Sequence, residues 1–143
     1  MDQTWLLREG HPKEAPTVLD LWRLAFEEED THGDEEDVER ALTYGKGTRF
    51  LVAEVAGVVA GALIVSFDGW RGNMYRLAVL PEFQRLGIAM SLVKEAEGWL
   101  DSLGCKKITA LVVGNHGKAT GFWEAAGYSH EKFMRRYARR LGT

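Results

Sequence analysis

The chain has 143 residues, of which 45% are hydrophobic and 27% charged, and its 18 basic and 21 acidic side chains give a formal charge of -3. This length predicts a single domain, 1–143, that buries roughly two-thirds of its surface. The mild negative charge argues against a nucleic-acid binder, and no apolar run reaches the roughly 18 residues of a membrane span. One cysteine and an N-terminus unlike a secretory leader favour a cytoplasmic protein.

The N-terminal half predicts alternating strands and helices. Residues 4–9 resemble a strand that ends at Gly10, and residues 15–26 carry apolar side chains at helical spacing. Asp34, with Asp37 three residues later, predicts the N-terminal cap of a short second helix. Residues 49–55 and 58–67 are apolar runs separated by Ala56-Gly57, which predicts a hairpin of antiparallel strands.

The central stretch, residues 73–103, predicts a strand that feeds a long helix through a glycine-containing turn. Residues 74–79 form the strand, which a proline ends at position 81. From Ile88 to Leu103 apolar side chains recur every three or four residues, which predicts a helix. Glycine commonly follows the last residue of a helix, so Gly104 predicts its end.

That turn can bind an anion. The first backbone N–H groups of a helix have no internal acceptor and lie at the positive end of its dipole. Gly87 has no side chain and Ala89 a small one, so a phosphate could approach the backbone, and Arg85 would add charge-assisted hydrogen bonds. A turn that merely connects two elements explains the same residues.

The C-terminal part predicts a strand, a helix and two further strands. Residues 107–113 form a strand parallel to the central one, and Asn115 or His116 can cap a helix that runs to Ala126. Tyr128 opens another strand, and residues 132–141 form the last. The expected fold is α/β, a mixed sheet of six to seven strands flanked by about four helices.

Two motifs resemble those of the GNAT superfamily of acyl-CoA-dependent N-acetyltransferases. The segment 77–89, Leu-Ala-Val-x-Pro-x-x-Gln-Arg-x-Gly-Ile-Ala, is similar to the family's acyl-CoA-binding motif. The segment 119–128, Ala-x-x-Phe-Trp-x-x-x-Gly-Tyr, is similar to its second motif. The resemblance implies a GNAT-like fold, in which the central strand and the next strand diverge and pantetheine lies in the gap.

The resemblance also implies which residues bind the cofactor, acetyl-CoA, with no metal. The backbone of the strand end would hold pantetheine and the acyl carbonyl, and the turn and first helical residues would hold the pyrophosphate. Asn115 is preferred to His116 as the contact from the second motif. The implied cofactor-binding residues are Leu77, Ala78, Val79, Gln84, Arg85, Leu86, Gly87, Ile88, Ala89, Met90 and Asn115.

The sequence departs from the family at the expected acid and base. Trp123 stands where a tyrosine often serves as general acid, and an indole cannot protonate a thiolate. Asn73 and Ala110 stand where some members keep a glutamate base. Tyr75 is a weak candidate for the catalytic acid, and a relayed base could come from Glu54, Asp68 or the acidic residues 27–37.

The expected reaction is acetyl transfer from acetyl-CoA to a primary amine, by direct attack. Nine acids between Glu27 and Glu39 could attract a cationic amine acceptor, although solvation of a loop explains them too. One alternative is an acyl-CoA-binding regulatory domain without transferase activity, and another is a general phosphate-binding α/β module. The acceptor's identity is open, as is a homodimer.

Overall fold

The computed structural model describes residues 4–26, 33–113 and 117–142. The chain divides into two compact units, residues 1–113 and 114–143, and each is described by itself. The part of the chain that the structure describes has a five-stranded sheet with three α-helices in the first unit and one α-helix in the second. In the described residues, no helix has both the length and the apolarity needed to cross a membrane.

The sheet of the first unit is mixed. Its strands are Leu6–Glu9 (β1), Thr48–Val55 (β2), Val58–Phe67 (β3), Gly72–Val79 (β4) and Ile108–Leu111 (β5). They lie in chain order, β1-β2-β3-β4-β5, and only the pair β4–β5 is parallel. The predicted hairpin is confirmed: β2 pairs with β3 through Ala56 and Gly57, which both have a positive φ (48° and 82°), as tight hairpin turns require.

The helices of this unit lie close to the ranges that apolar spacing and the Asp34 cap predicted. They are Ala15–Ala25 (α1), Glu35–Thr43 (α2) and Ile88–Ser102 (α3). Asp34 and Asp37 form a reciprocal capping box at the start of α2. Gly104, at φ 83°, ends α3, where the N–H of Cys105 reaches back to the Leu100 carbonyl (3.1 Å).

Helices cover both faces of the sheet. On one face, Val18, Trp22 and Val38 from α1 and α2 pack with Phe50 and Ile64 in a buried cluster. On the other face lies α3: a Cβ atom added to Gly61 of β3 would lie 3.1 Å from Ile88 Cγ2, and one added to Gly72 of β4 only 2.7 Å from Leu100 Cδ1. These two glycines allow α3 to pack directly against the backbone of β3 and β4.

The second unit contains one helix, Gly117–Ala125 (α4), and an irregular tail. Gly127, at φ 96°, ends the helix, and the Tyr128 N–H donates to the Trp123 carbonyl (2.9 Å). Trp123 is 8% exposed and forms T-shaped, edge-to-face contacts with the rings of Phe122 and Tyr128. Its side chain therefore has a packing role.

The expectation of six to seven strands was wrong, because the described sheet has five. The two missing strands were predicted at Tyr128 and at residues 132–141. The described tail forms neither helix nor strand, and its large apolar side chains, such as Phe133 and Tyr137, are 78% and 89% exposed. The alternation in this segment is imperfect, and five basic residues interrupt it. Without a buried face, such a pattern does not fix a strand.

Candidate functional site

β4 extends beyond β5 at its carboxyl end, and the edge of β4 that β5 leaves uncovered is the gap. Their pairing begins at Gly72 and Ile108 and stops at Tyr75 and Leu111. Within the described part of the chain, the last four residues of β4, 76–79, have no partner in β5. In α/β sheets, ligands bind beyond the carboxyl ends of strands, so this gap is the first candidate for a binding site.

A β-bulge in β4 lies at the mouth of the gap. The register between β3 and β4 shifts at Arg76, which has a left-handed backbone (φ 58°). The guanidinium of Arg76 lies 4.6 Å from the ring centre of Trp22 and 4.3 Å from that of Phe26, both at the end of α1. Because the bulge inserts one residue, Tyr75 and Arg76 both face the α1 side of the sheet.

The backbone of the strand end faces the gap at alternate residues. The Leu80 N–H donates to the Ala60 carbonyl of β3 (2.8 Å). Since successive backbone groups along a strand point to opposite edges, those of Val79 and Leu77 point away from β3, towards the gap. Ala78, between them, is 4% exposed and packs in the core cluster. The contacts of Leu77 and Val79 with an acyl carrier stay a prediction.

The turn after β4 is tied back to the strand by Gln84. Its side-chain Nε2 donates to the Val79 carbonyl (3.2 Å), and its backbone N–H donates to the Pro81 carbonyl (3.3 Å). The predicted phosphate contact through the Gln84 backbone amide thus competes with an existing hydrogen bond. Gln84 shapes the turn by joining its start to the end of β4.

The start of α3 presents a run of backbone donors. Arg85 and Gly87 have left-handed conformations (φ 67° and 100°), and Gly87 is the residue that caps the helix. The first helical hydrogen bond runs from the Ser91 N–H to the Gly87 carbonyl (3.0 Å). The N–H groups of Ile88, Ala89 and Met90 therefore precede the helical ladder and have no acceptor within it.

The surroundings of these donors suit an anion. Arg85 and Leu86 are exposed, Ala89 and Met90 are half-buried, and Ile88 is buried beneath the turn. The positive end of the α3 dipole and the Arg85 guanidinium add a favourable field. The predicted residues of the turn and first helical turn are thus brought together, at the end of the strand that borders the gap.

Tyr75 lies where the pairing of β4 and β5 ends. It is half-buried and packs against the core cluster below α1. Burial raises the pKa of its phenol above the ordinary value of 10.0, so the hydroxyl keeps its proton throughout the neutral range. A protonated phenol at the mouth of the gap has the chemistry of a proton donor.

Several of the described acids that were considered as bases already have partners. Glu54 Oε1 accepts a hydrogen bond from Arg8 Nε (3.1 Å). The backbone N–H groups of Arg71 and Trp70 donate to Asp68 Oδ1 (2.7 and 2.8 Å) and lower the pKa of this carboxyl.

Asp37 is occupied in the same way. The backbone N–H of Asp34 and the side chain of Arg40 donate to its carboxylate and lower its pKa. A carboxyl of lowered pKa is a weaker base. Each of these acids therefore shapes a turn, a cap or an ion pair.

Other predicted positions have a structural role or lie outside the described residues. Asn73 accepts a hydrogen bond from the Thr109 hydroxyl (2.5 Å) across the β4–β5 pair. Asn115, His116 and the acidic residues 27–30 lie outside the described residues. The sequence analysis missed Arg76, because an arginine within a strand has the pattern of any solvent-facing residue. In the described residues, no group of three or more His, Cys, Asp or Glu could hold a metal ion.

Comparison with known proteins gives a family and several structural relatives. The sequence model of the acetyltransferase (GNAT) family matches residues 15–128. The fold is similar to that of an aminoglycoside N-acetyltransferase, AAC(6')-Iy, in complex with CoA: the TM-score is 0.77, the identity 18%, and the match covers 99% of this chain and 98% of that one.

Two further structures are similar over nearly their whole length. AAC(6')-Iy in complex with the bisubstrate analogue CoA-S-monomethyl-acetylneamine has a TM-score of 0.75 at 18% identity, with 96% of this chain and 99% of that one covered. A ribosomal-protein-alanine N-acetyltransferase from Brucella melitensis biovar Abortus 2308 has a TM-score of 0.73 at 16% identity, with 96% and 100% covered.

Proposed function

The chain belongs to the acetyltransferase (GNAT) family and is an acyltransferase, and from this premise we propose that it transfers an acetyl group from acetyl-CoA to a primary amine. The observation that carries the proposal is the β4–turn–α3 unit. It combines backbone groups of Leu77 and Val79 that face an open gap with N–H groups of Ile88, Ala89 and Met90 that have no helical acceptor.

This unit fits coenzyme A in its two chemically distinct parts. A pyrophosphate needs several converging donors and a positive field, which the start of α3 and Arg85 offer. The pantetheine arm carries amides, which need backbone donors and acceptors along an unpaired strand edge, as residues 76–79 offer. Gly87 suits this turn, because its φ of 100° is a backbone conformation that other residues rarely adopt.

The bound thioester supplies the activated acyl group, and the chain supplies position and polarity. Backbone N–H groups at the edge of β4 can polarise the acyl carbonyl where negative charge develops during attack. The Tyr75 phenol is protonated in the neutral range and can give its proton to the departing thiolate. Holding the two reactants together supplies much of the remaining acceleration.

The acceptor must present a neutral amine. An alkylammonium of pKa about 10.4 is nearly all protonated at pH 7, whereas an α-amino group has a pKa of about 7.7–8.0. Glu54, Asp68 and Asp37 have structural partners, so an acceptor whose amine deprotonates readily needs the least help. The names of the structural relatives give aminoglycosides and the alanine of a ribosomal protein as acceptors. Both classes are candidate acceptors for this chain.

The test is release of free thiol from acetyl-CoA with a panel of amines: neamine, spermidine, free lysine and a peptide that begins with alanine. We expect release that depends on one amine class, rises with pH as that amine deprotonates, and gives an acetylated product of matching mass. The reaction without amine is the control, because it measures hydrolysis alone.

Two results would contradict the proposal. Calorimetric binding of coenzyme A with no amine-dependent release across the panel would favour an acyl-CoA-binding regulatory domain. Displacement of coenzyme A by ordinary nucleotides at similar concentration would favour a general phosphate-binding module.

A further inference from the structure

Trp5 contacts the phosphate-binding turn from a distant part of the sequence. It precedes β1, and its neighbour Leu6 pairs with Glu54 of β2, so the sheet anchors its backbone. Its indole lies beside Gly87: a Cβ atom on that glycine would be 3.6 Å from Trp5 Cη2 and 3.9 Å from Cζ2. The ring thus covers the side of Gly87 from which a side chain would project.

The same indole is hydrogen-bonded to the first turn of α3. Trp5 Nε1 donates to Ser91 Oγ (3.1 Å), although 86 residues separate the two. Ser91 is also the residue whose backbone N–H donates to the Gly87 carbonyl and closes the first helical hydrogen bond (3.0 Å). Trp5, Gly87 and Ser91 therefore form a closed set of contacts around the start of the helix.

This set of contacts acts on the part of the helix that is hardest to order. Helix ends fray, and the donors of the first turn are useful to an anion only when they converge before it arrives. Gly87 adds to the difficulty, because glycine loses more backbone freedom on ordering than any other residue. A ring that packs on Gly87 and a bond that holds Ser91 restrict both ends of that turn.

We propose that Trp5 is a positioning residue of the coenzyme A site, which orders the amides of Ile88, Ala89 and Met90 before the pyrophosphate binds. The inference rests on the proposed function, since it assigns a role within the same site. It requires tryptophan at this position: phenylalanine has no N–H to donate to Ser91, and its smaller ring lacks the Cη2 and Cζ2 atoms that lie beside Gly87.

The test compares Trp5→Phe and Ser91→Ala with the wild type, with Trp70→Phe as the matched control. Trp70 is 69% exposed, its ring stacks on the Arg71 guanidinium, and it precedes β4, whereas the turn follows the other end of that strand. Calorimetry would measure binding of two probes, coenzyme A and pantetheine, the second of which lacks the pyrophosphate. Hydrogen–deuterium exchange without ligand would report on the amides of Ile88, Ala89 and Met90.

We expect Trp5→Phe and Ser91→Ala each to weaken coenzyme A binding by about three- to tenfold, the effect of one hydrogen bond. The double variant should lose little more than Trp5→Phe alone, because that change already removes the bond to Ser91. Pantetheine binding should not change, and the three amides should exchange faster. Trp70→Phe should match the wild type in every measurement.

Equal coenzyme A affinity in Trp5→Phe, Ser91→Ala and the wild type would overturn this inference but not the proposed function. An equal loss of affinity for coenzyme A and pantetheine would also overturn it, since the effect would then not concern the phosphate turn. Failure of the wild type to bind coenzyme A would contradict the proposed function and the inference together.

Discussion

At the scale of single residues, Tyr75 carries the clearest chemical prediction. It lies at the last β4–β5 pair, and burial raises the pKa of its phenol. If this hydroxyl protonates the leaving thiolate, Tyr75→Phe removes the acid and should lower kcat by about 10²- to 10⁴-fold. The affinity for coenzyme A should stay unchanged, because the ring and its packing remain. Steady-state kinetics and calorimetry measure the two effects separately.

The pH dependence of kcat provides a second test of the role of Tyr75. The phenol must be protonated to act, and burial raises its pKa above the ordinary value of 10.0. Loss of this proton should therefore lower kcat only above pH 10. Tyr44→Phe is the control, since Tyr44 is 54% exposed at the end of α2. A kcat of Tyr75→Phe equal to that of the wild type would remove Tyr75 from the mechanism and leave it a packing role.

At the scale of elements, the bulge in β4 sets the shape of the gap. Arg76 adopts a left-handed backbone, which costs a non-glycine residue roughly 1–2 kcal/mol. Arg76→Ala and Arg76→Gly both lose the contacts with Trp22 and Phe26, but only glycine relieves the strain. We therefore expect Arg76→Gly to have the larger free energy of unfolding in urea, by about 1 kcal/mol.

Arg71 provides the matched comparison. Its guanidinium lies 4.2 Å from the centre of the Trp70 ring. The backbone φ of Arg71 is not positive. There the order should reverse, with Arg71→Gly less stable than Arg71→Ala by about 0.5–1 kcal/mol, because glycine gains freedom in the unfolded chain. The same order at both positions would mean that the bulge stores no backbone strain.

The sequence predicted those elements whose signals are local. Two apolar runs and the Ala56-Gly57 turn predicted the β2–β3 hairpin, helical spacing predicted α1 and α3, and Asp34 predicted the cap of α2. Two features depended on contacts distant in sequence and were missed. The bulge at Arg76 depends on the register with β3, and the Trp5–Ser91 bond joins residues 86 positions apart.

The C-terminal strands were predicted wrongly for a related reason. A strand needs a partner and a buried face, and an alternating pattern alone supplies neither. In the described tail, Phe133, Tyr137 and Leu141 are 78%, 89% and 84% exposed. The catalytic acid and base could not be assigned from local pattern either, because their roles depend on burial and on hydrogen bonds such as those of Asp68.

At the scale of the whole molecule, the first unit combines rigid support with an open edge. The α1–α2 layer and α3 cover the two faces of the sheet, while the pairing of β4 and β5 stops at Tyr75. The central claim is that the coenzyme A pyrophosphate binds at the start of α3. A negative charge introduced there should repel it, and the same charge further along the helix should not.

The most direct measurement is the calorimetric affinity for coenzyme A of wild type, Gly87→Glu and Gly98→Glu. Gly98 is exposed in the same helix, and a Cβ atom there meets nothing within 4 Å. Since glutamate is strained at φ 100°, Arg85→Glu serves as a second variant, because position 85 already accepts a side chain at φ 67°. Circular dichroism and urea unfolding would verify that each variant is folded.

The account predicts that Gly87→Glu weakens coenzyme A binding by about a hundredfold and Arg85→Glu by about tenfold, while Gly98→Glu binds like the wild type. Wild-type affinity in folded Gly87→Glu and Arg85→Glu proteins would contradict it and place the phosphates elsewhere.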